Sequence, residues 1–89
     1  MESRTSRRFR EGLAKLPKPV QRDASDAFRL FRDNPRHPSL QFKKVHGTKP
    51  IYSARVSSDY RAIGVLEDGR IVWFWVGAHA EYVSILARL

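Results

Sequence analysis

The first third of the chain carries apolar residues at helical spacing. The first stripe consists of Phe9, Leu13 and Leu16. Its spacing of i, i+4 and i+7 predicts an amphipathic helix over residues 6–16. A second stripe begins at Val20 and predicts another helix, which ends before Pro35 because proline disfavours helical backbone in the residue that precedes it. The Pro-Lys-Pro joint between the helices is short, so we expect an antiparallel helical hairpin.

The rest of the chain has a pattern typical of short β-strands. Residues 40–45 alternate between apolar and polar types, and three later runs are rich in β-branched and aromatic residues: 51–56, 60–66 and 71–76. Ser57–Asp59 and Glu67–Gly69 are each expected to form a three-residue hairpin loop, the second with Gly69 in the left-handed conformation. The pattern predicts a meander of four antiparallel strands, followed by a short helix beyond His79.

Chain length and polarity define the class of protein. The chain of 89 residues is expected to form a single α+β domain over residues 1–89, with one modest core. No apolar run approaches the roughly 20 residues that a membrane helix needs, and the polar N-terminus predicts that there is no secretory signal. There is no cysteine, which excludes disulfides and thiolate metal sites and agrees with a reducing cytosol. We therefore expect a cytoplasmic protein with no membrane partner.

The balance of charges is strongly basic. Lys and Arg number 17 against 9 Asp and Glu, which gives a formal net charge of +8 and a pI near 10.6. On so small a domain this favours a polyanionic partner: nucleic acid first, an acidic protein second and a membrane surface third. A basic surface that only keeps the protein soluble is the alternative. Arginine outnumbers lysine, and its planar fork suits phosphate better, so the composition favours nucleic acid.

The predicted loops define which strand residues face each other. If both loops are three residues long, Arg55 lies opposite Arg61, and Arg61 lies opposite Trp75. One face of the sheet then carries both arginines with Trp73 and Trp75, and the apolar other face packs on the helices. Like charges directly opposite each other destabilise a sheet, so the pairing predicts an anion between the arginines or an acidic neighbour such as Glu81. A shift of one residue would separate the arginines onto opposite faces.

Seven short segments, in a fixed order along the chain, carry a resemblance to a known family. They are Leu16-Pro17, Asn34-Pro35, Pro38–Leu40, Tyr52–Arg55, Asp59–Ala62, Trp73–Gly77 and His79–Tyr82. Together they resemble the RelE/ParE superfamily of toxins from bacterial toxin–antitoxin pairs. The resemblance implies an α+β fold in which an N-terminal helical hairpin packs on a curved four-stranded antiparallel sheet with a short C-terminal helix. It also implies a cognate antitoxin as partner, expected to be acidic or partly disordered and to wrap the helices.

The two branches of the superfamily imply different activities. Resemblance to the RelE branch, which His79 with Arg61 and Tyr82 favours, implies a metal-free endoribonuclease that cuts ribosome-bound messenger RNA. In that reaction the RNA's own 2′-hydroxyl attacks the adjacent phosphate. Resemblance to the ParE branch implies a non-catalytic inhibitor of DNA gyrase, and a basic nucleic-acid-binding module without either activity is a third alternative. Family members usually begin with a short strand. Residues 1–5 are few and polar, so we expect this strand to be reduced or missing in this chain, which would leave a sheet edge exposed.

The resemblance also assigns candidate catalytic roles. His79 is the expected acid or base, because an imidazole can accept or donate a proton near neutral pH, although it could be an ordinary loop histidine. Arg61 matches the arginine of the family's Tyr-Arg strand motif and is expected to stabilise charge on the phosphate, with a structural ion pair as the alternative. Arg55 would support it. Tyr82 would orient the 2′-hydroxyl or stack on a base, or only pack the last helix.

A second set of residues is expected to line the path of the RNA. Lys43 and Lys44 match the family's basic strand, but adjacent strand residues face opposite sides, so only one of them is expected to point at the RNA. Trp73 and Trp75 are expected to stack on nucleobases, with burial in the core as the alternative. The remaining histidines have no ligand-like spacing, so neither a metal nor another cofactor is expected.

Overall fold

The computed structural model describes all 89 residues as five strands, three α-helices and one 3₁₀ turn. The strands are β1 (Ser3–Thr5), β2 (Lys43–Lys44), β3 (Ile51–Ser57), β4 (Tyr60–Glu67) and β5 (Arg70–Ala78). The helices are α1 (Arg7–Ala14), α2 (Lys18–Asp33) and α3 (His79–Arg88), and the 3₁₀ turn is Pro38–Leu40. None of these helices has both the length and the apolar character needed to cross a membrane.

The strands form one mixed sheet in the order β1-β5-β4-β3-β2. Strands β2 to β5 make the predicted antiparallel meander. Strand β1 adds a fifth strand, which runs parallel to β5 from Ser3 opposite Ile71 to Thr5 opposite Trp73. The predicted α+β fold is therefore confirmed, and its sheet has one strand more than the four that were predicted. The family's first strand, which was expected to be either reduced or missing, is present with three residues.

The helical hairpin forms as expected from its sequence signals. Helix α1 begins after Ser6, whose Oγ accepts a hydrogen bond from the backbone N–H of Phe9 at 3.1 Å. Proline near the start of α2 is compatible with its first turn, where a missing N–H costs nothing. Gln21 of α2 contacts the end of α1 and the joint that follows it, since its Nε2 donates to the carbonyl oxygens of Ala14 at 3.3 Å and Leu16 at 2.9 Å. Helix α1 packs on β5 and α2 packs on β3.

Both faces of the sheet are covered by helices. The larger core lies under α1 and α2 and contains Phe9, Phe31, Leu40, Ala54, Ala62, Ile71, Trp73 and Val76. Its centre is aromatic, with the rings of Phe31 and Trp73 edge to face at 5.3 Å. A smaller core of Ile51, Ile63 and Tyr82 lies on the opposite face, under α3. Helix α3 therefore covers part of that face, and Arg55 and Arg61 remain half-exposed at the end next to the turn between β3 and β4, here called the open end.

The pairing of β3 and β4 places Arg55 directly opposite Arg61, as predicted. The loop between them is shorter than expected, because Ser57 pairs with Tyr60 and leaves only two residues in the turn. An irregularity between Arg55 and Ser57 places Val56 in a bulge, which adds back the missing residue. The predicted pairing of Arg55 with Arg61 is correct because the loop is one residue shorter than expected and the bulge adds one residue to β3.

The pairing of β4 and β5 differs from the prediction. Arg61 lies opposite Gly77 rather than Trp75. The loop at Asp68 and Gly69 has two residues, both with positive φ (51° and 80°), which is typical of a type I′ hairpin. Further along, Ile63 pairs with Trp75 and Gly64 pairs with Trp73, so Phe74 has no partner and forms a bulge in β5. Because adjacent residues of β4 face opposite sides, the bulge places the two tryptophans on opposite faces of the sheet.

Gly64 lies where strand β5 and the larger core come closest. A Cβ atom at this position would lie 2.7 Å from Cγ2 of Ile71 and 2.8 Å from Cε3 of Trp73. We expect Gly64→Ala to lower the free energy of unfolding by about 1–3 kcal/mol, because both neighbours are buried and packed. Urea denaturation followed by far-UV circular dichroism measures the loss. Gly47→Ala is the control, since a Cβ there meets nothing within 4 Å, and equal effects of the two changes would contradict the prediction.

Candidate functional site

Two arginines face each other at the open end of the sheet. Arg55 and Arg61 are directly opposite, so their Cβ atoms lie about 4.5–5.5 Å apart. Both side chains are half-buried. Neither forms an ion pair, since the four ion pairs of the chain join other residues. Glu81, the predicted acidic neighbour, makes no salt bridge with either arginine. Arg55 does line a cleft with Asp23 and Asp26 of α2, but neither carboxylate lies within salt-bridge distance of it. Two partly desolvated cations therefore lie opposite each other without an ion pair, which favours binding of an anion.

The guanidinium of Arg61 is attached to the turn between β3 and β4. Its Nη1 donates to the carbonyl oxygens of Ser57 at 2.8 Å and Tyr60 at 3.0 Å, with that of Ser58 further away at 3.4 Å. Its Nε and Nη2 make no hydrogen bond within the chain. The guanidinium is therefore held in one place by one nitrogen, and its other edge is available to a ligand.

His79 lies beside the same turn. It is the first residue of α3, and its backbone N–H donates to the carbonyl oxygen of Asp59 at 2.8 Å. Strand β5 places it there, because Gly77 lies opposite Arg61 and Ala78 lies opposite Tyr60. The His79 side chain is exposed, and its ring nitrogens make no hydrogen bond within the chain. An exposed imidazole without a hydrogen-bond partner is thus attached at the same end of the sheet as the two arginines.

The two tryptophans have different environments. Trp75 is half-buried on the face of the arginines, and its indole lies over Gly77, where a Cβ would come within 2.6 Å of Cζ2. Gly77 is thus a site residue that the sequence analysis missed. Trp73 is only 4% exposed and packs edge to face against Phe31 on the helix side. The prediction that both indoles cover the open face was wrong for Trp73, because of the bulge in β5.

Tyr82 lies in the smaller core rather than on the surface. It is 7% exposed, and its hydroxyl donates to Oγ of Ser53 at 3.0 Å. The ring centres of Tyr82 and His79 are 5.6 Å apart. The structure thus favours packing of the last helix, which was one of the two predicted roles. The partner Ser53 was missed, although a serine at an inward position of an apolar strand was the available signal.

The lysines lie on the short edge strand β2. Lys43 pairs with Ser53 and Lys44 pairs with Tyr52, so their side chains point to opposite faces of the sheet. Both are exposed. Lys43 shares the face of Arg55 and Arg61, whereas Lys44 is on the helix side. One lysine of the pair therefore extends the row of cations, as the sequence predicted.

Comparison with known proteins identifies the family. The family model of the ParE-like toxin domain matches residues 18–84. The chain belongs to the family of ParE-like toxin domains. No curated protein matches it by sequence. The matched residues include both arginines, both lysines, His79 and Tyr82, so the whole candidate site lies within the ParE-like toxin domain.

Solved structures share the fold of this ParE-like toxin domain. The RelB–RelE antitoxin–toxin complex from Methanococcus jannaschii superposes with a TM-score of 0.73 at 15% identity, covering 91% of this chain and 95% of that one. YafQ from E. coli strain BL21(DE3) gives 0.71 at 17% identity, covering 91% and 96%. The archaeal RelE–RelB complex from Pyrococcus horikoshii OT3 gives 0.69 at 22% identity, covering 86% and 92%. Because the sequence identities are low, these similarities establish a shared fold only.

The other histidines of the ParE-like toxin domain stabilise their own loops. Nδ1 of His37 accepts a hydrogen bond from the backbone N–H of Ser39 at 3.2 Å. Nδ1 of His46 accepts one from the backbone N–H of Lys49 at 2.9 Å. No group of three or more His, Cys, Asp or Glu side chains is placed to hold a metal ion. The candidate site therefore consists of Arg55, Arg61 and His79, with Trp75 and Lys43 on the same face.

Proposed function

We propose that this ParE-like toxin domain is the toxin of a toxin–antitoxin pair and that it cleaves ribosome-bound messenger RNA in the cytoplasm. The observation that carries the proposal is the pair Arg55 and Arg61, which form no ion pair, at the same end of the sheet as the exposed side chain of His79. A protein that only binds has no need of a proton-transfer group at a phosphate site.

The proposed reaction is transesterification by the RNA itself. The 2′-oxygen attacks the adjacent phosphorus, the bond from phosphorus to the 5′-oxygen breaks, and the products are a cyclic phosphate and a free 5′-hydroxyl. A base must take the proton of the 2′-hydroxyl, and an acid must give one to the leaving oxygen. His79 carries the proton at one of these steps and water at the other.

The cations of the site stabilise the extra negative charge that the phosphate gains in the transition state. The free edge of Arg61, formed by Nε and Nη2, can donate two parallel hydrogen bonds to phosphate oxygens. Arg55 adds a second positive charge from the opposite strand, and Lys43 continues the row toward the next phosphate of the RNA. The half-exposed indole of Trp75 offers a surface on which a base can stack.

The surface of the helical hairpin suits an antitoxin. A cleft of about 340 Å³ lies between α1 and α2, with apolar walls that include Phe9, Leu13 and Phe28. Arg10 and Arg29 also line it, and the chain carries a net charge of +8. The relatives from M. jannaschii and P. horikoshii are each a complex of RelE with RelB. These observations support an acidic antitoxin segment that wraps the helices and covers the basic face.

The test is induced expression in a growing bacterium, with the 5′ ends of total RNA mapped by sequencing. New 5′ ends inside translated frames, present for the wild type and lost in Arg55→Ala, are the expected result. Arg22→Ala on the exposed face of α2 is the matched control and should cut like the wild type. Growth arrest without cuts would overturn the proposal in favour of a binding target such as DNA gyrase. If expression causes neither growth arrest nor new cuts, the result would indicate a module that has lost both activities.

The role of Tyr82 can be tested separately. We expect Tyr82→Phe to lower the free energy of unfolding by about 1 kcal/mol, because it leaves Ser53 Oγ buried without its partner. Cleavage should stay within about twofold of the wild type, since the hydroxyl is not needed for the chemistry proposed above. Tyr60→Phe is the control, because the Tyr60 hydroxyl makes no hydrogen bond within the chain. Loss of cleavage in a folded Tyr82→Phe variant would restore the tyrosine as a catalytic residue.

A further inference from the structure

The turn between β3 and β4 has an unusual backbone for a two-residue hairpin loop. Such loops favour turn types with positive φ, because their twist matches that of the strands. The second hairpin follows this rule at Asp68 and Gly69, whereas Ser58 and Asp59 both have negative φ. The strand before the turn is also bulged at Val56. The conformation of this turn therefore depends on contacts from outside its own backbone.

Arg61 supplies these contacts. Its Nη1 donates to the carbonyl oxygens of Ser57 and Tyr60, which are the paired residues on either side of the turn. A charged donor makes stronger hydrogen bonds to carbonyl oxygens than a neutral one does. One nitrogen therefore holds both arms of the turn in a fixed relation.

The turn between β3 and β4 also holds the beginning of α3. The first N–H groups of a helix have no partner within it and are usually satisfied by a side chain at the cap. Here the cap residue is Ala78, which makes no side-chain hydrogen bond. Instead the carbonyl oxygen of Asp59, at the centre of the turn, accepts from the backbone N–H of His79 at 2.8 Å. The position of His79 is thus fixed by the same turn that Arg61 stabilises.

We propose that Arg61 is a positioning residue for His79 and acts through the backbone of residues 57–60. Its Nη1 fixes the turn and thereby the start of α3, while its Nε and Nη2 remain free for the phosphate. The guanidinium of Arg61 and the backbone of His79 are then held by one turn, so the substrate does not need to bring these two elements together. The catalytic consequence rests on the proposed function, whereas the structural linkage can be measured without RNA.

The linkage is tested by amide hydrogen exchange of the full chain by NMR. In Arg61→Lys and Arg61→Ala we expect the His79 amide to exchange at least about tenfold faster, because the turn loses its support. Lysine keeps the charge but lacks the planar fork that reaches the carbonyl oxygens and a ligand together. The scalar coupling across the hydrogen bond between the His79 nitrogen and the Asp59 carbonyl carbon should disappear in Arg61→Ala. Arg55→Lys and Arg22→Lys are controls and should leave both signals unchanged.

Kinetics test the consequence for the reaction. For cleavage of ribosome-bound messenger RNA, we expect Arg61→Lys to lower kcat by about 10- to 100-fold with KM changed less than about threefold. Arg55→Lys should mainly raise KM, because Arg55 makes no hydrogen bond to the turn and is proposed to act on the phosphate alone. Unchanged exchange and coupling at His79 in both Arg61 variants would overturn the linkage even if RNA is cut. Faster exchange in a chain that cuts no RNA would leave the linkage intact and refute only the proposed function.

Discussion

Replacing His79 with alanine is expected to lower the rate of messenger RNA cleavage by about 10²–10⁴-fold, the usual contribution of a positioned acid or base. The fold should be unaffected, because the side chain is exposed and its ring nitrogens make no hydrogen bond within the chain. The backbone N–H of residue 79, which donates to the carbonyl oxygen of Asp59, is still present in the alanine variant. The measurement compares 5′ ends inside translated frames after equal expression of wild type and variant, with circular dichroism to confirm folding.

His37→Ala is the matched control for this experiment. His37 caps the start of the 3₁₀ turn, and its Nδ1 accepts from the backbone N–H of Ser39, so its loss should affect only that loop. Binding of the antitoxin should survive in both histidine variants, which co-purification can show. If His79→Ala cuts within about threefold of the wild type, proton transfer by this residue is refuted. The search for an acid or base would then move to Glu81, which is exposed in the first turn of α3.

Replacing Trp73 with alanine is expected to lower the free energy of unfolding by about 3–5 kcal/mol, as large-to-small changes of buried aromatic residues do. The indole is 4% exposed and contacts Phe31 at the junction of the helices and the sheet. Small domains have a total stability of about 5–15 kcal/mol, so much of the chain would unfold at moderate temperature. Urea denaturation followed by far-UV circular dichroism measures the effect without relying on tryptophan fluorescence.

Trp75→Ala is the comparison that makes this prediction specific. Trp75 is half-buried on the opposite face, so its removal should cost less than about 2 kcal/mol. Its effect should appear in cleavage, where the stacking surface for a base is lost. Equal destabilisation by the two changes would mean that the bulge in β5 does not separate the indoles. The pair of variants therefore tests the register of the sheet as well as the site.

The regular parts of the fold could be predicted because their pattern is local. The stripe from Phe9 to Leu16 and the stripe that ends before Pro35 each lie within one helix, so spacing alone reveals them. Strand β1 could not be found this way, because three polar residues have no alternation to read. It forms only because β5, from the other end of the chain, offers it a partner.

The open end of the sheet could be predicted only in part. Arg55 opposite Arg61 followed from the order of strands and turns, although the loop length and the bulge had to compensate each other. The bulge at Phe74 could not be predicted, since the segment Trp73–Trp75 alternates like an unbroken strand. The carbonyl contacts of Arg61 depend on the φ angles of its turn, which no residue type there requires.

The pairing of β1 with β5 has a consequence for the synthesis of the protein. Ser3–Thr5 leave the ribosome early, but their partners Ile71–Trp73 are made near the end of translation. Contacts between such distant segments form late, because closing a long loop must come before any gain from pairing. The sheet, and with it the end that carries His79, therefore closes only once almost the whole chain has emerged. On the proposed function, the ribosome that makes the toxin finishes its task before the toxin is able to act.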